Sequence, residues 1–299
     1  MIKYLVIGAD GLVGSRFVEL KGKKQILTPS IDELDITNEE SIRNYFENNE
    51  FDVCVNFAAF TNVDEAEKQR DDKKGLVWVL NVEGAKKFAK VCHDFERFLI
   101  HISTDFVFPG TEEKPGPYEE DAETPKSPSE ISWYGWTKLE GERRVMEECP
   151  ESAIVRISYP YYAAPYEQKT DFAKKIVELY DKEELYPLFE DQVVSVLYVD
   201  DIVEVIEKLA EKKLPGIYHA VSADQATYYD FGSYLVKKYK GKDAVLPRKG
   251  SMKEFLKAPD RTPRPRMGGL RTEKTQERLG IKFRTWKESV DEFVKDLEN

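Results

Sequence analysis

Short apolar runs alternate with longer amphipathic stretches through the first half of the chain. The runs are "YLVIG" (4–8), "KQILTP" (24–29), "DVCVNFAA" (52–59), "RFLIHIS" (97–103) and "SAIVRIS" (152–158). Between them lie "SRFVELK", "NEESIRNYFENN", "LNVEGAKKFAKVCHDF" and "YGWTKLEGERRVMEEC", whose apolar residues recur at helical spacing with charged residues on the opposite face. Near-continuous apolar strands separated by helices predict βαβ units, hence a parallel sheet covered on both sides. The first half is therefore expected to be an α/β doubly wound sheet.

Past Ser158 the alternation loosens. "SYPYYAAPYEQK" reads as an aromatic, proline-punctuated loop, followed by a helix over 171–181 and a short strand at "SVLYV". Further helices are predicted at "VDDIVEVIEKLAEK", "TYYDFGSYLVKKY" and "WKESVDEFVKDLEN", and a strand at "GIYHAV". This pattern predicts a dinucleotide-type domain over residues 1–158 and a smaller C-terminal α/β lobe over 159–299, with some later segments returning to the main sheet.

Composition narrows the function. With 41% hydrophobic and 34% charged residues the 299-residue chain is that of a water-soluble globular protein. Its formal net charge of -11 excludes general affinity for nucleic acid or anionic membranes, which depends on Lys and Arg meeting phosphates. Cys54, Cys92 and Cys149 are scattered without metal-ligand spacing, so the expectation is three inert thiols in a reducing cytoplasm, not a disulfide framework or a zinc site. The apolar run near the start, about four residues long, is too short for a signal segment or a membrane span.

The candidate chemistry sits at strand ends. "GADGLVG" places Gly8, Gly11 and Gly14 after the first strand and into the first helix, where backbone N–H groups can approach a pyrophosphate. The second strand ends in "LTPS" without a carboxylate to hold ribose hydroxyls, and Arg16 lies just past the glycines, which favours NADPH over NADH. Asp35 could contact the adenine, with Thr37 or Asn38 as a plain helix cap nearby. Ala58 and Ala59 would let a ribose lie close to the backbone, and Ser103, Thr104 and Asp105 end the fourth strand at the ligand-binding edge of a parallel sheet. Tyr134 and Lys138 are four apart and share a helical face, which alone is weak evidence. His101, just before that strand end, reads as a satisfied core histidine.

These stretches in this order resemble the extended short-chain dehydrogenase/reductases, and within them the dTDP-4-dehydrorhamnose reductases. The matching segments are "GADGLVG", "ELDIT", "VNFAAFTNVDEAE", "LNVEGA", "HISTDFVFPG", "YGWTKLEGE", "DQVVSVLYVDDI" and "RPRMGGLRTEKTQERLGI". The resemblance implies a Rossmann-type fold with a substrate-binding lobe and the NADPH-dependent reduction of a nucleotide-linked 4-keto-6-deoxyhexose. It implies Tyr134 as general acid, Lys138 as its partner on the nicotinamide ribose that lowers the tyrosine pKa, and Thr104 as the hydroxyl on the reacting carbonyl. Asp10, Leu12, Val13, Ile36, Phe60 and Asn81 fall in the cofactor-binding stretches. Asp105, Phe106, Tyr159 and Arg264 fall in the substrate-binding ones, with Phe106 in place of the usual tyrosine and "ISY" in place of "TSW". Arg261, Arg266 and Arg271 join Arg264 as a candidate basic cluster for a diphosphate. A homodimer is compatible with the resemblance. Two alternatives stay open, a non-catalytic NADP-binding subunit resembling the beta subunit of methionine adenosyltransferase, and another sugar-nucleotide epimerase or dehydratase.

Overall fold

The computed structural model describes residues 2–166, 168 and 170–298. The chain forms two compact units, each discontinuous in sequence. The first comprises Met1–Val107, Thr124–Arg156 and Val203–Tyr218, and the second Phe108–Glu123, Ile157–Ile202 and His219–Asn299.

Among the described residues, six strands make the main sheet: β1 (Tyr4–Ile7), β2 (Ile26–Leu27), β3 (Val53–Asn56), β4 (Phe98–Thr104), β5 (Ala153–Ile157) and β6 (Gly216–Ala220). Their spatial order is β6-β5-β4-β3-β1-β2. The pairs β1–β2, β1–β3 and β3–β4 run parallel, with Ile7 opposite Asn56 and Asn56 opposite His101. Strands β1, β3, β4 and β5 are buried at every residue, which explains their unbroken apolar runs. The chain steps to opposite sides of β1 when it forms β2 and β3, so the carboxyl ends of β1 and β3 flank a topological switch point, where ligands bind in such sheets.

The helices α1 (Leu12–Lys21), α2 (Glu39–Asn48), α3 (Ala85–Asp94) and α4 (Trp133–Glu148) belong to this unit. Leu5 and Ile7 of β1, Ile42 and Phe46 of α2, Phe88 and Val91 of α3, Val145 of α4 and Ile154 of β5 share one core cluster. The three cysteines, far apart in sequence, are buried in that same cluster. Burial and the neighbouring Cys54 push the Cys92 thiol well above its ordinary range, which fits inert packing groups.

Some predicted elements change. "KQILTP" shrinks to the two residues of β2, because Pro29 has no N–H to continue a ladder. The helix expected from Leu80 begins at Leu76 and passes through a π-helical stretch, Val79–Gly84, before α3. "GIYHAV" does join the main sheet, as β6.

In the second unit the strands are two residues long, and helices carry the framework: α5 (Phe172–Asp181), α6 (Tyr228–Lys240) and α7 (Trp286–Leu297). Asp171 caps α5 by accepting from Ala173 N and Lys174 N at 3.0 and 2.9 Å, so the helix starts where an acceptor side chain meets its orphan donors. Tyr161 lies at the hub of the core, its ring 5.4 Å from Phe172, 5.6 Å from Tyr198, 5.5 Å from Phe231 and 5.3 Å from Phe293.

Candidate active site

Strand β1 delivers the chain into the glycine loop. Gly8 has φ +73°, and a Cβ there would lie 2.6 Å from Ala58 N, so only glycine lets the loop turn against the end of β3. Gly11 N donates to Gly8 O at 3.1 Å, and Gly11 caps α1 with no side-chain acceptor. No acidic residue lies in the first turn of α1, so its N–H groups and positive end remain suited to an anion. Leu12 and Val13 are half-buried there, Gly14 is buried and Asp10 is exposed.

Arg16 forms an ion pair with Glu19 at 2.9 Å, with side-chain exposures of 13% and 60%. Its charge is thus shared with a solvent-facing carboxylate. Asp35 accepts from both Thr37 N and Thr37 Oγ1 at 2.8 Å and makes the turn that leads into α2. Asn38 is the cap, accepting from Glu40 N and Ser41 N, while Ile36 is buried in the core cluster.

The segment after β3 is held from two sides. Asn56 Oδ1 accepts from Ala58 N at 3.0 Å. Asn81, in the π-helical stretch and 1% exposed, accepts from Phe60 N at 2.8 Å and donates to Phe60 O at 3.2 Å and to Thr137 Oγ1 at 3.0 Å. Thr137 Oγ1 in turn donates to Tyr134 O at 3.0 Å. Asn81 therefore ties the Ala58–Phe60 segment to the first turn of α4, and its amide is fully engaged in doing so.

Ser132 caps α4 by accepting from Gly135 N at 3.1 Å. A Cβ at Gly135 would collide with the Phe106 carbonyl, so glycine in "YGWTK" is what lets α4 approach the turn after β4. The result places the Tyr134 ring 5.7 Å from the Phe106 ring, edge to face, with Thr104 and Asp105 buried beside them. Thr104 Oγ1 donates to Asp105 Oδ1 at 3.2 Å and accepts from Phe106 N at 3.3 Å.

Electrostatics at these residues follow burial. Burial pushes the Tyr134 phenol up to about 12, against a lowering hydrogen bond from Thr104 and with the Asp105 charge adding to the rise. Burial brings the Lys138 ammonium down to about 8, opposed by the Glu142 carboxylate. Lys138 Nζ donates to Ile102 O at 2.8 Å. The expected lowering of the tyrosine by its lysine is not seen: burial raises the phenol, and the lysine's hydrogen bond goes to the backbone of β4. Glu142 is itself paired with Arg156 in a fully buried fork, at 2.9 and 2.7 Å, which fastens α4 to β5.

Thr104, Asp105, Phe106, Tyr134 and Lys138 are thus gathered within the first unit, beside the Ala58–Phe60 segment and the glycine loop. Tyr159 and Arg264 belong to the second. Tyr159 has φ +42°, a strained conformation for an aromatic residue, and its hydroxyl accepts from Gln192 Nε2 at 2.8 Å. In the expected basic cluster two of the four arginines lie against carboxylates and a third against a ring. Arg266 pairs with Glu112, Arg271 lies 3.7 Å from Glu273, and Arg261 stacks over Phe255 at 4.2 Å. Arg264 is half-buried in the same loop.

Sequence reasoning passed over Asn56, Glu142, Arg156 and Gln192. The only available signal for Asn56 was a polar residue ending an apolar strand.

Comparison with known proteins matches residues 2–299 to the family described as RmlD substrate binding domain. A dTDP-4-dehydrorhamnose reductase of Sinorhizobium fredii is 30% identical, over 98% of this chain and 97% of its own. The spore coat polysaccharide biosynthesis protein SpsK of Bacillus subtilis is also 30% identical, over 99% and 98%. Among solved structures, dTDP-4-dehydrorhamnose reductase from Bacillus anthracis in complex with NADP superposes with a TM-score of 0.85 at 26% identity, covering 99% of each chain.

Proposed function

The chain belongs to the RmlD substrate binding domain family, and on that premise we propose that it is an NADPH-dependent reductase of a nucleotide-linked 4-keto-6-deoxyhexose, with dTDP-4-dehydro-L-rhamnose as substrate and dTDP-L-rhamnose as product. The observation that carries this reading is the buried grouping of Thr104, Tyr134 and Lys138 on α4 and the end of β4. Residues 1–158 hold the cofactor in this reading, and residues 159–299 mainly hold the substrate, with Tyr159 on the sugar or base and Arg264 on the diphosphate. The site of action is the cytoplasm; among the described residues no helix is long and apolar enough to cross a membrane.

The loop residues fit a dinucleotide. The cradle at Gly8 is one a Cβ would fill, and the start of α1 presents uncapped N–H groups. NADPH, when bound, supplies the hydride that forms the new C4–H bond. Within the Gly8–Gly11–Gly14 loop the backbone N–H groups of Leu12 and Val13 would meet the pyrophosphate, Gly11 N–H being bonded to Gly8 O, while Arg16 would meet the 2'-phosphate, Ala58, Ala59 and Phe60 the cofactor's body, and Lys138 the ribose. Asp35, in the turn before α2, would lie by the adenine, with Ile36 packing beneath that turn in the core.

Thr104 would turn its hydroxyl hydrogen from Asp105 to the substrate's C4 oxygen, and Tyr134 would give that oxygen its proton, so negative charge never builds up unopposed. A phenol held near 12 is fully protonated at neutral pH, and an alkoxide is the stronger base, so the transfer runs downhill. Solvent then returns the proton to the phenolate.

The test is loss of nicotinamide absorbance with dTDP-4-dehydro-L-rhamnose, run beside UDP- and GDP-linked 4-keto sugars and with NADPH against NADH. Turnover of the dTDP sugar with NADPH is expected. Turnover confined to another nucleotide would move the substrate, whereas tight NADPH binding with no turnover would make this a binding protein.

A further inference from the structure

His101 is two residues before Ser103, where the polar end of β4 begins, is 1% exposed, and has no part in the proton transfer described above. Its neighbour across the sheet is Asn56, the two being Cα partners in the β3–β4 register. Asn56 Nδ2 lies 3.2 Å from His101 Nδ1, and Asn56 Oδ1 accepts from Ala58 N at 3.0 Å.

These two contacts fix the chemistry of both side chains. Ala58 N can only donate, so the atom facing it must be the amide oxygen of Asn56. The atom facing His101 is therefore the amide NH2, which also can only donate. His101 Nδ1 must then be an unprotonated acceptor, and the ring carries its hydrogen on Nε2.

That hydrogen has no partner: His101 Nε2 is buried and unbonded. The expectation of a satisfied core histidine fails on this atom. A phenyl ring would fill the same place without stranding a buried donor, which is a costly arrangement. What the imidazole offers and a phenyl ring does not is the acceptor for Asn56.

We infer that His101 is a positioning residue for the dinucleotide site, holding the Asn56 amide in the one orientation that anchors Ala58 N against the glycine loop. This rests on the proposed binding of NADPH at that loop. With Nδ1 lost, the Ala58 N bond alone holds the amide against rotation, and after a half-turn its NH2 would face Ala58 N, donor against donor. The Ala58 backbone, on which Gly8 closes so tightly that a Cβ would lie 2.6 Å from its nitrogen, would shift, and the floor beneath the cofactor with it. Burial, with the Lys138 charge adding to it, holds the His101 pKa well below its ordinary range, consistent with a ring that must stay neutral to accept. The one charge acting on the ring, that of Lys138, therefore opposes its protonation.

Two measurements test this. The chain has three histidines, so long-range nitrogen–proton NMR on the parent protein can assign each ring. His101 is expected as the Nε2–H tautomer, and the Nδ1–H tautomer would overturn the inference without any variant being made. In NADPH titrations followed by fluorescence, His101→Phe is expected to raise Kd about tenfold while kcat at saturating NADPH stays within about threefold of the parent. His101→Gln, whose amide oxygen can accept from Asn56, is expected to recover most of the affinity. Parent-like affinity in the folded Phe variant, or equal loss in the Gln variant, would refute the role. A parent protein that failed to bind NADPH would instead refute the proposed function.

Discussion

The two units keep order by different means. In the first, β1, β3, β4 and β5, four to seven residues long, are buried along their whole length and satisfy their backbone groups strand to strand. In the second, strands are two residues long and much of the order comes from side chains. Tyr161 packs four rings about itself, and Asp191 caps a short helix from far along the chain, accepting from Met252 N at 2.6 Å and Lys253 N at 3.1 Å. The contrast suits their proposed duties. A hydride transfer tolerates little misplacement and belongs on a hydrogen-bonded lattice, whereas a ring-packed framework can exchange surface and loop residues to suit a different sugar. Two departures from the reductase pattern, "ISY" and "PYYAAPYEQKTDF", fall in the second unit, while Phe106 in place of a tyrosine falls in the first.

The comparison breaks most visibly at Tyr134. Tyr134→Phe keeps the ring and removes the proton, so kcat should fall by about 100- to 10,000-fold while the urea midpoint stays near the parent's. Activity within threefold of the parent would take the acid away from α4. Phe231→Ala removes one spoke of the aromatic hub and should lower unfolding stability by about 3–5 kcal/mol in urea titrations. Ile154→Val, in the strand-built core, should cost only about 0.5–1.5 kcal/mol. If the two costs proved alike, the second unit would not depend on its rings as described. The smallest effect concerns pH. Lys138 is a cation below its pKa of about 8 and loses that charge above it, so kcat/KM for the keto sugar should decline on the alkaline side of that value. In Lys138→Arg the guanidinium stays charged and the break should vanish, whatever the variant's absolute rate. A break that persisted unchanged in the Arg variant would belong to another group.

Legibility in the sequence followed the same division. Where strands are buried on both faces, composition alone marked them, and five of the six sheet strands were read from apolar runs in the first half. The glycine loop and the Tyr134–Lys138 spacing are equally local, so candidate redox residues could be proposed by position. Interactions that join distant positions left no such trace. Nothing near Asn56 announces His101, nothing near Glu142 announces Arg156, and the cysteines looked scattered because their common core exists only after folding. Tyr134 was expected to be drawn down by its lysine, yet the extent of its burial, which dominates, cannot be counted from residue types.

The π-helical stretch at Val79–Gly84 makes helix phase a functional quantity. An α-helix advances 100° per residue, and a π-turn holds one residue more than its neighbours, so the positions before and after it belong to different wheels. A wheel drawn straight through Leu76–Asp94 assigns inward and outward faces wrongly on one side of the interruption. Asn81 stands inside the interruption, bonded to both Phe60 and Thr137. Chain length is therefore constrained here as tightly as residue identity. Removing one residue would let the helix run regularly, and the regular helix would turn Asn81 away from the two segments it joins.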